Sequence, residues 1–209
     1  MIRILALSAM NQGACKIKFS GMLGLDIESM INSIKSLGVE ITQLSENNDT
    51  IIMIHGIGNN GFITDESIID CGNSGTALRI IMGLVASLDE EITVIGDESL
   101  SHRENDSMIN SLLEANVSIE KYGNNFLPLK IRGPWFDGTE TNQSVYLDCS
   151  KSSQPLTSWM IASALFPCNV SLKVSGKTVS NRHYLLTKDM CNNYGASITK
   201  TDYGYQLNK

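Results

Sequence analysis

Ala77-Leu78-Arg79-Ile80-Ile81-Met82-Gly83-Leu84-Val85-Ala86 is apolar on nearly every face of a helix, and Trp159-Met160-Ile161-Ala162-Ser163-Ala164-Leu165-Phe166 has the same character. A helix apolar all round belongs in an interior, because no face of it gains from contact with water. A third apolar segment, residues 2–10, opens the chain. Three interior helices need a cover, and the sequence between them supplies one.

The cover is one unit used three times. In the first unit the apolar helix precedes a strand at 15–19, an amphipathic helix at 25–37 with Leu25, Ile27, Met30, Ile31, Ile34 and Leu37 on one side, and strands at 39–44 and 50–55. The second unit repeats the order: an apolar helix at 75–88, a strand at 91–95, a helix at 105–115, and strands at 118–122 and 127–132. The third begins after 145–147, with an apolar helix at 155–166, a strand at 170–174, a helix at 185–194, and strands at 197–200 and 205–207. Two independent landmarks, the glycine after the first strand (Gly21, Gly96, Gly176) and the end of the second helix (Gly38, Asn116, Gly195), each recur at intervals of about 75–80 residues. The expectation is an α/β (α+β) domain over residues 1–209, turned inside out. Parallel helices are buried at its centre and small four-stranded sheets lie outside, around a pseudo-threefold axis.

Bulk properties set limits. A chain of 209 residues buries roughly 70% of its unfolded surface, so a substantial core is expected. The net charge of −6 argues against a nucleic-acid coat but permits a local basic pocket. The five cysteines are scattered, with no CxxC pair and no nearby histidine, so neither a zinc site nor a complete disulfide framework is expected. Reduced buried thiols in a cytoplasmic protein are the simplest account. Residues 1–10 superficially resemble a signal peptide, but the apolar stretch is short and no clear cleavage motif follows. No apolar run is long enough to suggest a membrane span.

Chemistry gathers ahead of the helices. Asp70-Cys71-Gly72-Asn73-Ser74-Gly75-Thr76 places small polar residues before the second apolar helix, where free N–H groups and a partial positive charge suit an anion. Arg79 follows on the same helix face; it reads equally as an anion ligand or as a structural arginine. Arg103 stands shortly before another helix, as a surface group or a phosphate contact. Ser150-Lys151-Ser152-Ser153-Gln154-Pro155 offers hydroxyls and an amide at the third apolar helix, and Ser180-Asn181-Arg182-His183-Tyr184 does the same for the last helix. Each segment also reads as ordinary capping. Arg3 lies in the first turns of the first helix. If the units pack in parallel, these ends share one rim and form a pocket for a small, multiply anionic molecule. No nucleophile–base pair, metal cluster or nucleotide loop stands out.

Taken in order, these segments resemble the 5-enolpyruvylshikimate-3-phosphate synthase family over nearly the whole chain. Gly72-Asn73-Ser74-Gly75-Thr76-Ala77-Leu78-Arg79 is similar to its Gly-Asn-Ala/Ser-Gly-Thr segment, Ser152-Ser153-Gln154 to its Ser-Ser-Gln segment, and the stretch from Ser180 to Thr187 to its Ser-x-Pro-Tyr segment. The resemblance implies that Arg3, Ser152, Ser153 and Ser180 bind shikimate 3-phosphate and that Gln154 touches both substrates. It implies that Gly75 and Arg103 bind phosphoenolpyruvate, with Asn73 and Thr76 in the same loop. It implies no metal or organic cofactor, and no nucleic-acid or membrane partner. His183 stands where the family has tyrosine, with Tyr184 one residue later and no proline. The family's catalytic Asp and Glu lie in the half that would follow Lys209, and its Lys-Ser pair lies ahead of Arg3. The chain is therefore expected to be one lobe, inactive without the second. Two alternatives stay open: a lobe of UDP-N-acetylglucosamine enolpyruvyl transferase, against which the Ser-Ser-Gln segment argues, and a non-catalytic anion-binding domain.

Overall fold

The computed structural model describes residues 1–136 and 139–209. Helix α1 (Ile2–Met10) is followed by β1 (Gln12–Ser20), α2 (Leu25–Ser36), β2 (Glu40–Glu46) and β3 (Asp49–Ile57). A short 3-10 turn leads to β4 (Ile68–Asp70), α3 (Gly75–Val85), β5 (Ile92–Ile95), the single turn α4 (Glu98–Ser101), α5 (Asp106–Glu114), β6 (Ser118–Lys121) and β7 (Leu129–Arg132). The chain closes with β8 (Asn142–Asp148), α6 (Gln154–Ala162), β9 (Asn169–Ser175), α7 (Asn181–Asn193), β10 (Ser197–Thr201) and β11 (Gly204–Asn208).

The strands form three sheets, ordered β1-β3-β2, β4-β5-β7-β6 and β8-β9-β11-β10. In the second and third sheets the leading strand runs parallel to the strand after the buried helix, β4 with β5 and β8 with β9, because a helix crosses over between them. All other pairings are antiparallel. The first sheet corrects the expectation of four strands: it has three.

Local chemistry accounts for the boundaries. Asn47 and Asn48, with φ of 51° and 67°, make the two-residue loop that registers Glu46 opposite Asp49 in the β2–β3 hairpin. The helices α2, α5 and α7 each stop before a left-handed residue: Gly38 at φ 84°, Asn116 at 67° and Gly195 at 97°. These are the sequence landmarks at the second-helix ends, and a shared backbone requirement explains their recurrence.

The core lies where the apolar helices meet. Every residue of α3 except Thr76 is buried, every residue of α6 from Pro155 onward, and Leu5 to Met10 of α1. The signal-like stretch at the N-terminus is thus a core helix here. Leu78, Ile80, Ile81, Met82, Leu84 and Val85 of α3 are removed from water. Each contributes roughly 1.5–3 kcal/mol against the cost of ordering it. At the far ends of α3 and α6, Trp135, Phe136, Trp159 and Phe166 form an aromatic cluster with ring centroids 5.0–6.2 Å apart. The Trp159 Nε1 proton goes to Ser111 Oγ at 2.8 Å, so burying the indole leaves no polar group unpaired. Among the described residues no helix is long and apolar enough to cross a membrane.

Candidate functional site

The N-terminal ends of α1, α2, α3, α6 and α7 open on one cavity of about 890 Å³. Its lining includes Arg3 from α1, Asp26 from α2, Asn73 and Thr76 at α3, Ser152, Ser153 and Gln154 at α6, and Ser180 and His183 at α7. Helices that begin at a common point carry their unpaired N–H groups and partial positive charge to it together. At α3 a side chain closes the first turn, Ser74 Oγ accepting from the Ala77 amide at 3.3 Å, and at α6 the first amide, that of Gln154, goes to Ser152 Oγ. Among the described residues α1, α2 and α7 have no side-chain cap, which leaves donors there for a ligand.

Arg3 is half-buried, and burial lowers its pKa. Its Nε donates to Thr187 Oγ1 at 2.7 Å. The Thr187 hydroxyl in turn donates to the His183 carbonyl at 2.8 Å, and Thr157 lies 3.4 Å from it. These neutral partners fix the guanidinium without cancelling its charge. The terminal nitrogens make no hydrogen bond within the described structure.

Gln154 is held from two sides: its Oε1 accepts from Arg79 Nη1, and its Nε2 donates to Thr76 Oγ1 at 3.1 Å. Arg79, 9% exposed, also donates to the Gly75 carbonyl at 3.1 Å and to the Glu104 carbonyl at 2.8 Å. The open reading of Arg79 therefore resolves to a brace. Its guanidinium ties the start of α3 to α6 and to the loop after α4, with acceptors that are carbonyls and an amide. Burial, then the charge of Arg103, lowers its pKa.

Ser153 is 4% exposed, lines the cavity and makes no side-chain capping bond. Ser152 Oγ accepts from the Gln154 amide at 3.2 Å. Ser180 sits in the left-handed region at φ 55°, directly before α7. His183 is exposed on the rim, whereas Tyr184 is 7% exposed and packs edge-on against Tyr205. Of these two neighbours, His183 is the one that can meet a ligand. The helix α7 starts at Asn181, four residues ahead of its expected start, so His183 belongs to its first turn.

Eight of the ten expected site residues thus share one cavity; Gly75 and Arg103 stand just outside it. Arg103 lines an adjoining cavity of about 410 Å³ with Arg79, Glu104 and Asn105, and Lys151 and Ser152 border both. Asn73 makes the link, its Oδ1 accepting from Arg103 Nη2 and its Nδ2 donating to Asp97 Oδ2. Asp97 caps α4 through the Leu100 amide at 2.8 Å, and that bond, with lesser help from Asn73, lowers its pKa. A Cβ at Gly75 would stand 3.1 Å from Arg79 Nη1 and 3.2 Å from Arg103 Nη1, so the missing side chain keeps the space between two cations open. Sequence reasoning missed Lys151 and the start of α2. Lys151 carried a signal, a cation among hydroxyls ahead of a buried helix; Gly24-Leu25-Asp26 carried none beyond an ordinary helix start.

Known proteins share the sequence pattern and the fold. The sequence profile of the family described as EPSP synthase (3-phosphoshikimate 1-carboxyvinyltransferase) matches residues 2–208. The 3-phosphoshikimate 1-carboxyvinyltransferase of Colwellia psychrerythraea is 28% identical over 204 residues, covering 96% of this chain and 46% of the relative. Its counterpart from Streptococcus agalactiae is 30% identical over 207 residues, covering 99% and 45%. A solved EPSP synthase structure from Acinetobacter baumannii has a TM-score of 0.77 at 21% identity, over 99% of this chain and 44% of that one. That likeness shows the fold. The chain spans about half the length of the curated relatives it matches.

Proposed function

Because this chain belongs to the EPSP synthase family, we propose that residues 1–209 form the substrate-binding lobe of a 3-phosphoshikimate 1-carboxyvinyltransferase. In this reading shikimate 3-phosphate and phosphoenolpyruvate meet at the cavity described above. The carrying observation is the convergence of helix N-termini, those of α1 and α7 uncapped, with Arg3, Ser152, Ser153, Gln154 and Ser180 on one cavity. Such a place recognises a phosphate or carboxylate through many N–H and O–H donors at once.

The roles follow from what each side chain has left to offer. Ser153 has an uncommitted hydroxyl and the first turn of α6 beside it, so it receives the phosphate of shikimate 3-phosphate with Ser152 and Ser180. Arg3 turns its terminal nitrogens to the same ligand. Gln154, fixed by Arg79 and Thr76, has a second Nε2 proton to place between the two substrates. Arg103, steered by Asn73, and the open space at Gly75 take the carboxylate or phosphate of phosphoenolpyruvate, and His183 borders the shikimate ring. The reaction joins the enolpyruvyl group to the 5-hydroxyl and releases phosphate. Proton transfer and charge stabilisation on the opposite side belong to a second lobe, which completes the site on closure. A cytoplasmic location is part of this reading, supported by the free, buried thiols of Cys71, Cys149 and Cys191.

Thermal unfolding tests the proposal. A ligand at ten times its Kd stabilises by about 1.4 kcal/mol. For a domain of this size that raises Tm by roughly 3–6 °C. Shikimate 3-phosphate should give this shift and shikimate should not. Equal shifts from both would remove the phosphate site. Release of phosphate from the two substrates by the chain alone would overturn the need for a second lobe.

A further inference from the structure

Lys151 is the cation the proposed function leaves unused. It borders both cavities and directly precedes Ser152. That position, at the positive end of α6, is electrostatically wrong for a cation unless an anion lies nearby. Glu104 supplies one: Lys151 Nζ lies 2.7 Å and 2.8 Å from its two carboxylate oxygens. The two side chains are 73% and 48% exposed, so water competes for both partners and the pair exchanges readily. Glu104 itself is anchored, its carbonyl accepting from the buried Arg79 at 2.8 Å. The Glu104 backbone is therefore held in place, and Lys151 has the longer and more exposed side chain of the pair.

We propose that Lys151 selects for a phosphate monoester in the larger cavity and that Glu104 holds it in reserve. The inference rests on the proposed function. A phosphate monoester bound at Ser152 and Ser153 carries nearly two negative charges and three acceptor oxygens, against one charge on Glu104. It also sits over the α6 N-terminus, where its field and the helix both favour the exchange. Lys151 then leaves Glu104 for the ligand. A ligand without phosphate leaves the pair in place.

The signs of two substitutions test this. Lys151→Met should weaken shikimate 3-phosphate binding about three- to five-fold, the range expected of an exposed charge contact, while Lys151→Arg keeps most of the affinity. Glu104→Gln removes the contacting carboxylate, leaving Asp106 and Asp148 as the weaker acidic neighbours of the ammonium, and should tighten binding about two- to three-fold. Because that is a gain, misfolding cannot imitate it. In Lys151→Met/Glu104→Gln the gain should vanish, and shikimate affinity should be the same in all variants. Calorimetric titration of the 209-residue chain at low ionic strength reads these ratios. If the unsubstituted chain binds shikimate 3-phosphate and Glu104→Gln is no tighter, or is tighter without Lys151 as well, the Lys151 proposal fails alone. If the unsubstituted chain shows no phosphate-dependent binding, the underlying site assignment fails with it.

Discussion

Gly83 of α3 faces Ser158 of α6, and replacing it with alanine tests the packing of these two buried helices directly. A Cβ there would stand 2.5 Å from Ser158 Oγ on α6, nearer than real contacts allow; the next neighbours, Ala162 Cβ at 3.5 Å and Met108 Cε at 3.7 Å, are ordinary contacts. Ser158 is 1% exposed and its hydroxyl donates to the Arg79 carbonyl, so it cannot turn away without leaving a buried hydroxyl unpaired. That outcome, or a shift of the helices instead, costs about 2–3 kcal/mol. Alanine returns about 1 kcal/mol over glycine inside a helix. Gly83→Ala should therefore destabilise by about 1–2 kcal/mol, lowering Tm by roughly 2–8 °C. In a Ser158→Ala background the obstructing oxygen is gone and the same change should stabilise by about 1 kcal/mol, a coupling of about 2–3 kcal/mol across the double-mutant cycle. Urea denaturation of the four proteins measures it. If Gly83→Ala is neutral or stabilising with Ser158 present, α3 and α6 do not meet as described.

Other outcomes follow from the same structure. Arg79→Met removes three hydrogen bonds that join α3, α6 and the loop after α4. It should cost about 2–4 kcal/mol in urea denaturation, and a loss under 1 kcal/mol would deny the brace. Burial pushes the thiols of Cys71 and Cys191 up to about 12 and that of Cys149 to about 11. All three should be silent to a thiol reagent at pH 8 until the protein unfolds, and fast native labelling of any of them would contradict the core packing. The carboxyls of Asp97 and Asp148 lie below their usual 3.8, held first by the amides of Leu100 and Ser150. Their contribution is present above pH 3.8 and lost as pH falls through their folded values. Asp148→Asn should therefore flatten the fall in urea midpoint between pH 5 and pH 3; an unchanged slope would count against it.

Much of this fold is legible in the residues. The apolar helices announce themselves because each is apolar on all sides, and Gly38, Asn116 and Gly195 mark helix ends because all three require a left-handed backbone. What escaped was short or tertiary. The strand β4 has three residues, too few for a period, and α4 is one turn whose signal is the Asp97 cap. The helix α7 starts ahead of its expected start because Asn181, Arg182 and His183 offer no apolar face to mark it: all three are exposed, and His183 borders the cavity.

The site was legible as a set of helix ends but not as a network. Nothing in the spacing of Gly75, Arg79, Glu104 and Gln154 reveals that one guanidinium joins the other three, because the partners are 25 and 75 residues away and two of them are backbone carbonyls. The pairing of Lys151 with Glu104 across 47 residues is hidden for the same reason. Residue types can show that an anion is welcome; only the packing shows which cations remain available to it.

The central claim is that the converging helix ends form a phosphate site, and a calorimetric titration of the chain with shikimate 3-phosphate, with shikimate as control, tests it most directly. The account predicts binding that requires the phosphate and weakens at least ten-fold in Ser153→Ala, whose hydroxyl would be one of several charge-assisted contacts worth about 1.5–3 kcal/mol each. Equal heats for the two ligands, or a Ser153→Ala protein that binds as well as the original, would contradict it.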